Sequence, residues 1–271
     1  MIFFMSNTST GIVVAGANGF VGKNLRSFLH ENKINVLAIS RKNFQKYSSE
    51  IKIISTNISN PKLQTKLKNY DALINLIGIG RQTPKSTFEE INLNLTKDVI
   101  KTCKNTGIKK IIFISGLGVS KSNTSDYFVS KYKAEQEIIN SGLDYTIFRA
   151  SYIMGKTDYL TKALSMQMKK GTISIPGSGK YRLQPIFVLD VAKIILEAVL
   201  EKKFSKKIID LVGPQKISFE DFVKLFAKNT GTKIEKISIE DAYDEAKRNV
   251  KAVYGLESLN KIGRASCRER V

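Results

Sequence analysis

Side chains that bind metals or form disulfides are scarce in this chain of 271 residues, which has one histidine, His30, and two cysteines, Cys103 and Cys267. So small a supply excludes a zinc cluster and a disulfide framework; no metal site is expected, and a reducing cytoplasm fits. Long apolar runs are missing too. None approaches the roughly 20 residues of a membrane span, and the opening Met1–Met5, M-I-F-F-M, is too short and lacks the basic start of a signal peptide. It reads as a lead-in, with Met5 an alternative start. Acidic residues are outnumbered, 24 against 44 Lys and Arg, which leaves a net charge of +20. Such a balance suits nucleic acid or an anionic membrane surface. Here, however, the lysines are spread along the whole chain among many Ile and Asn, as AT-rich coding would produce. No arginine block interleaved with aromatics marks a nucleic-acid face, so no nucleic-acid partner is expected. Repeats, low-complexity segments and flexible linkers are also absent, so any lobes should interleave along the chain.

What is present is organised around Gly11–Gly22, G-I-V-V-A-G-A-N-G-F-V-G. Ile12, Val13, Val14 and Ala15 suit a strand buried on both faces of a parallel sheet. Gly16, Gly19 and Gly22 then lead into a helix whose inner side is expected to carry Phe20, Val21, Leu25, Phe28 and Leu29. Gly16 makes the sharp turn, Gly19 admits a ligand to the backbone, and Gly22 packs the helix on the strand. The free amides at that helix start suit a pyrophosphate.

Further strands are expected at Ile34–Ile39, Ile51–Ser55, Asp71–Ile77, Lys110–Ser115 and Leu143–Arg149, and a long helix at Ser86–Asn105 with Ile91, Leu95, Val99 and Cys103 on its apolar stripe. On that stripe Cys103 is a small core residue and not a reactive thiol. Strands alternating with helices at this rhythm give an α/β fold, a Rossmann-type doubly wound parallel sheet with helices on both faces and a small C-terminal substrate lobe. After the second strand stand Ser40, Arg41 and Lys42. An acidic residue at this point would accept from an adenosine 2′-hydroxyl; Arg41 and Lys42 suit a 2′-phosphate, favouring NADP(H) while leaving NAD(H) open. The bland alternative is a pair of solvated loop charges. Asn57 and Ile58 fall where an adenine would lie, and Leu76, Ile77 and Gly78 where small residues let a cofactor approach the backbone.

Tyr127 and Lys131, in D-Y-F-V-S-K-Y-K, share one helix face, so the ammonium is expected to sit near the phenol and favour phenolate. Tyr127 is thereby a candidate general acid/base, with Lys131 as its helper. Downstream, Leu160–Lys170 reads as a basic amphipathic segment and Gly171–Gly179 as a glycine-bracketed, hairpin-like region. Asp190 reads as an N-terminal helix charge, and Ser218 with Asp221 as a helix start whose apolar side holds Phe219, Phe222, Leu225 and Phe226.

These motifs resemble the short-chain dehydrogenase/reductase superfamily, in its extended or atypical epimerase/dehydratase branch. The likeness is carried by Gly16–Gly22, by N-L-N-L-T at Asn92–Thr96, by Y-F-V-S-K at Tyr127–Lys131, by F-R-A-S-Y-I-M-G at Phe148–Gly155 and by Q-P-I-F-V-L-D-V-A at Gln184–Ala192. Within the branch, N-L-I-G at Asn75–Gly78 and the last of these motifs are similar to the nucleotide-binding accessory subunit of respiratory complex I and its prokaryotic relatives. The resemblance implies that Tyr127 transfers a proton, that Lys131 holds the nicotinamide ribose, and that a hydroxyl near the end of the fifth strand orients the substrate. Ser115 is the candidate, although the extended pattern places that hydroxyl one residue later, at Gly116 here; Ser120, Ser122 and Thr124 are nearby substitutes. Ala150 replaces a proline of the pattern, and Asn57 an aspartate. Asn18, Asn92, Ile114, Ala150 and Tyr152 complete the implied cofactor contacts.

The implied function is an NAD(P)-dependent oxidoreductase or epimerase acting on a sugar nucleotide or a small hydroxyl/carbonyl compound. The alternative is a non-catalytic NADPH-binding accessory or assembly protein, peripheral to the inner face of a membrane; a homodimer is compatible with either. The expected division is a cofactor domain over 1–150 with 184–212 packing back on it, a smaller lobe over 151–183 and 213–261, and a tail over 262–271. That tail, I-G-R-A-S-C-R-E-R-V, resembles a translated sequencing adaptor, so Arg264, Cys267, Arg268 and Arg270 are given no functional role and the natural chain is expected to diverge after Lys261.

Overall fold

A computed structural model describes residues 10–248, without the side chains of 243 and 245–248. The expectations for Met1–Met5, Cys267 and the 262–271 tail lie outside the described residues.

The four residues of β1 (Ile12–Ala15) are all buried, as parallel strands covered on both faces require. The chain continues through α1 (Phe20–Glu31), β2 (Val36–Ser40), β3 (Glu50–Ile54), α2 (Pro61–Leu67) and β4 (Ala72–Asn75). A π-helical turn (Glu89–Asn94) runs into α3 (Leu95–Thr106), followed by β5 (Lys110–Gly116), α4 (Asp126–Ile139) and β6 (Asp144–Ala150). After the short β7 (Ile153–Met154) come α5 (Tyr159–Lys169), β8 (Thr172–Pro176), β9 (Arg182–Leu183), β10 (Ile186–Phe187) and α6 (Val188–Leu200). The last elements are β11 (Lys207–Leu211), β12 (Ile217–Ser218), α7 (Phe219–Phe226), β13 (Lys233–Ile237) and α8 (Ile239–Arg248). β1 and the start of β5 fall where the sequence places them, and the other strand bounds differ by one or two residues.

Two compact units result, one running up to Arg149 and resuming over Leu189–Asp210, the other formed by Ala150–Val188 and the chain from Leu211 onward. The first is a Rossmann-type, doubly wound α/β unit built on a seven-stranded sheet in the order β11-β6-β5-β4-β1-β2-β3. β1 pairs in parallel with β2 on one side and β4 on the other, with Val13 opposite both Leu37 and Leu73. The strand order therefore reverses beside β1, and ligands of such sheets bind at the carboxyl ends of the strands at that point. Val13, Leu37, Leu73, Ile111, Phe113 and Ile147 belong to one buried cluster with Val99 and Cys103 of α3. Each such aliphatic or aromatic side chain contributes about 1.5–3 kcal/mol by leaving water.

In α1 the buried residues are Gly22, Leu25, Arg26 and Leu29; Phe20, Val21 and Phe28 are only half-buried, and the buried arginine was not expected. The helix expected over Ser86–Asn105 is interrupted at its start. Leu95 N–H reaches back five residues to the Glu90 carbonyl, a π turn that inserts an extra residue and rotates the stripe. Asn92, Leu93, Thr96, Val99, Ile100 and Cys103 are buried as a result, while Ile91 and Leu95 are half-exposed.

The second unit has its own core of Leu164, Ile173, Ile175, Phe219, Phe222, Val223 and Ala227. The region Gly171–Gly179 is no hairpin: it supplies β8, which pairs in parallel with the much later β13, and it ends in a turn where Gly177 and Gly179 have φ of 64 and 68. Ser218 caps α7 by accepting from Asp221 N–H at 3.0 Å, as its sequence pattern indicates. Leu225, expected on the apolar side, is 63% exposed, and Val223 takes the buried place.

Candidate functional site

The glycine turn is held against the end of β2, where the amides of Gly16 and Ala17 both donate to the Ile39 carbonyl, at 3.1 and 3.0 Å. Gly16 has φ 85, and a Cβ on it would lie 2.9 Å from the Leu76 carbonyl carbon; only glycine can make this turn. At Gly22 a Cβ would lie 2.4 Å from the Gly16 carbonyl oxygen, so this glycine sets how closely α1 approaches the turn. Gly19 has an ordinary φ of −70 and is exposed at the N-cap of α1. No side chain caps this helix and no acidic residue sits in its first turn, which leaves the positive end of its dipole uncompensated by the protein. Asn18 stands in the turn, its amide donating to the Asn43 carbonyl at 3.4 Å, so the stretch that carries Arg41 and Lys42 lies beside the glycines. Both of those cations are exposed, and Ser40 turns its hydroxyl to accept from the Lys42 amide.

Along the other flank of β1, Val21, Leu76, Ile77, Gly78, Ile79 and Gly80 face Ile114, Ser115, Tyr127 and Lys131 across a cleft of about 210 Å³. That is smaller than the ~300 Å³ of a typical small-molecule site, with room for only part of a larger molecule. Ser115 is 3% exposed, and its hydroxyl is buried without a hydrogen-bond partner. An unpaired buried hydroxyl costs about 1–3 kcal/mol, and its place at the edge of this cleft supplies a reason for keeping it.

Lys131, 5% exposed, donates from Nζ to the Ile114 carbonyl at 3.0 Å and lies 4.7 Å from the centre of the Phe113 ring. Burial pulls its pKa down to about 8, against an upward pull from Glu135. A Cβ on Gly78 would stand 3.1 Å from Nζ and 3.3 Å from Asn92 Oδ1, so the glycine leaves the space in which both side chains converge. Tyr127 packs edge-on to Phe88 and Phe128, with ring centres 5.7 and 5.2 Å away. A Cβ on Gly116 would lie 3.5 Å from its hydroxyl. Burial among these groups pushes the phenol up to about 12. The expectation that Lys131 favours phenolate is thus corrected: the ammonium is engaged by the Ile114 carbonyl, and desolvation keeps Tyr127 protonated near neutral pH.

Several other residues expected at the cofactor also make contacts within the protein frame. Asn92 is fully buried; its Oδ1 accepts from Ile79 N–H at 2.9 Å, and its amide donates to the Ile79 carbonyl and to Ser130 Oγ. It therefore clamps the Ile77–Gly80 stretch to α4, whose Ser130 in turn donates to the Tyr127 carbonyl at 2.7 Å. Ile58 points into the core, its carbonyl accepting from Thr102, while exposed Asn57 spends its side-chain oxygen on Ser59 N–H. Within the second unit, the Tyr152 hydroxyl is taken by Asp158, which also caps α5; Ala150 is half-buried at the end of β6. Ser120 and Ser122 bond each other, and Ser120 also bonds Asn123, in a local turn.

Sequence reasoning missed Asn75 and Arg26. Asn75, 1% exposed, accepts from Ile77 N–H at 3.1 Å and so shapes the turn that follows β4; a polar residue inside the apolar run A-L-I-N-L-I was the available signal. Arg26 carried none, because a cation on an amphipathic helix reads as surface.

Comparison with known proteins agrees with the fold. Over 230 residues the chain is 28% identical to NADH dehydrogenase (ubiquinone) 1 alpha subcomplex subunit 9, mitochondrial, of Arabidopsis thaliana, covering 80% of this chain and 57% of that protein, little more than half its length. An "uncharacterized sugar epimerase", YhfK of Bacillus subtilis, is 26% identical over 211 residues, 74% of this chain and 92% of its own. Among solved structures, UDP-glucuronic acid 4-epimerase from Bacillus cereus in complex with UDP-glucuronic acid and NAD shares the fold, with a TM-score of 0.73 at 22% identity over 84% of this chain and 86% of that one. A family model described as NAD(P)H-binding matches residues 16–201. Because that match runs from the first glycine of the turn to the end of α6, well over half of the chain, the protein belongs to the NAD(P)H-binding family.

Proposed function

We propose that the chain is an NADP(H)-dependent oxidoreductase of the epimerase/dehydratase type, acting on a hydroxyl- or carbonyl-bearing carbon of a sugar nucleotide or similar small molecule. One observation carries this reading: the unpaired Ser115 hydroxyl shares a cleft with Tyr127 and Lys131. The residues fit a dinucleotide. The turn of Gly16 and Gly22 admits no Cβ, the bare helix start at Gly19 suits a pyrophosphate, and Arg41 and Lys42 stand beside it for a 2′-phosphate. When bound, the nicotinamide supplies hydride transfer. Lys131 would hold the ribose, Ser115 would donate to the substrate oxygen, and Tyr127, protonated at rest, would pass its proton to that oxygen and recover it in the reverse direction. Val21 and the Leu76–Gly80 stretch line one side of the cleft.

A second reading has its own support. Gly116 stands where the extended pattern carries its hydroxyl, and the Arabidopsis relative is named as a subunit of a respiratory dehydrogenase. Under it, the protein holds NADPH as a fixed ligand in a larger assembly at the inner face of a membrane. No helix among the described residues is long and apolar enough to cross one. Purified protein titrated with NADPH, NADH and their oxidised forms, then screened against UDP-sugars, separates the readings. NADP(H)-preferring turnover that Y127F abolishes supports the enzyme; retained NADPH that stays reduced throughout the screen supports the fixed ligand.

A further inference from the structure

Arg26 is the one arginine on α1, and it lies inside the first unit, 3% exposed. Its guanidinium uses every edge. Nε and Nη2 form a fork on Glu50 at 2.7 and 2.6 Å, Nη1 donates to the Ala17 carbonyl at 3.2 Å, and Nη2 also donates to the Gln45 carbonyl at 2.8 Å. The plane lies 4.3 Å from the centre of the Phe44 ring and 5.4 Å from that of Tyr47. Glu50, the first residue of β3, also accepts from the Tyr47 amide at 2.9 Å. One cation therefore ties together the glycine turn at Ala17, the loop at Phe44, Gln45 and Tyr47, and the start of β3.

The loop is what gives this arrangement meaning. Between β2 and β3 it has no helix or strand of its own, and it begins with Arg41 and Lys42. An irregular loop ordinarily places its charges loosely. This one is fixed at Asn43 by Lys52 and Asn18, and from Phe44 onward by Arg26 and Glu50. A buried ion pair is poor evidence of stability, since apolar side chains of equal volume often serve as well. What it adds is a fixed geometry, and a guanidinium reaches two carbonyls and a carboxylate at once as an ammonium cannot.

We propose that Arg26 is a positioning residue for the adenosine end of the cofactor: through Ala17, Gln45 and Glu50 it fixes Arg41 and Lys42 relative to the glycine turn, and so sets the preference for a 2′-phosphate. The inference rests on the NADP(H) reading above. It is tested by calorimetric titration of NADPH, NADH and adenosine 2′,5′-bisphosphate into wild type, R26K and the double variant R26M/E50L, with thermal unfolding recorded for each. The double variant removes both buried charges, which keeps the fold from carrying an unpaired one. The expected result is a loss of at least tenfold in affinity for NADPH and the bisphosphate in both variants, a fall in the NADPH-to-NADH affinity ratio towards unity, and an unfolding temperature for R26M/E50L close to wild type. General loosening would weaken NADH equally and leave the ratio unchanged, and that outcome overturns the proposal, as does an unaltered NADPH affinity. Wild type that binds no dinucleotide, or binds NADPH no better than NADH, fails the functional reading itself and takes the inference with it.

Discussion

A single hydroxyl distinguishes stability from function in the cleft. Ser115 Oγ is buried and unpaired, so S115A should raise unfolding stability by about 1 kcal/mol while lowering turnover; urea melts alongside initial rates check both signs. Y127F should reduce turnover by at least about 100-fold and leave cofactor affinity as it is. Lys131 offers a pH test. Its folded pKa, about 8, lies below the ordinary 10.5, so between these values the unfolded chain holds more protons than the native one and stability rises with pH. Tyr127, raised from 10.0 to about 12, works the other way, keeping its proton in the native state while the unfolded chain loses one, and stability falls across that window. In cofactor-free protein the stability of wild type relative to K131M should therefore rise from pH 8 to 10.5; a flat difference in urea melts would remove the burial argument. At this scale the sequence pointed to the three glycines, Tyr127 and Lys131 through the fixed spacing of their motifs, and to Ser115 only through its place near the end of β5; the structure brings Ser115, Tyr127 and Lys131 to one cleft. It did not disclose the protonation state of Tyr127, which depends on Phe88, Phe128 and Gly116 closing around it.

Elements were legible where their signals were local. The sheet strands are short β-branched runs, and the start of α7 is written in Ser218 and Asp221. Where a distant partner or an irregular turn decides, the periodicity misleads: β8 answers to β13 and not to a neighbour, and the π turn at Glu89–Asn94 moves Asn92 inward where a regular helix would have placed Ile91. The ion pair of Arg26 and Glu50 is of the same kind, two charges 24 residues apart that meet only after α1 and β3 are packed. α7 provides a direct check. F222A should cost about 3–5 kcal/mol, whereas L225K, at a position 63% exposed, should stay within about 0.5 kcal/mol in chemical denaturation. Asn92 carries the coupling between elements, and N92L should loosen the Ile77–Gly80 stretch and weaken NADPH binding before it unfolds the sheet. Hydrogen exchange at Ile79 would register that loosening.

For the whole molecule, charge and cofactor linkage matter most. A net charge of +20 attracts a phosphate-rich ligand at long range, so NADPH affinity should fall steadily as salt rises, in calorimetry at increasing ionic strength. NADPH at 100 times its Kd should add about 2.7 kcal/mol to folding. Hydrogen exchange should place that protection in the unit holding Gly16–Gly22, with β8 and β13 of the other unit changed less. The doubly wound parallel sheet was legible in the alternation of strands and helices; the order of its seven strands, set by pairing between stretches far apart in the chain, was not.

Cys103 turns the core into a clock. Its thiol has no exposure, and burial pushes it up to about 12, so a thiol reagent can reach it only when α3 lifts from the sheet. With Cys267→Ser in place, the labelling rate of this one sulfur would count those openings directly. Its slowing on addition of NADPH would measure, without any attached probe, how firmly a ligand at the glycine turn holds α3 on the sheet.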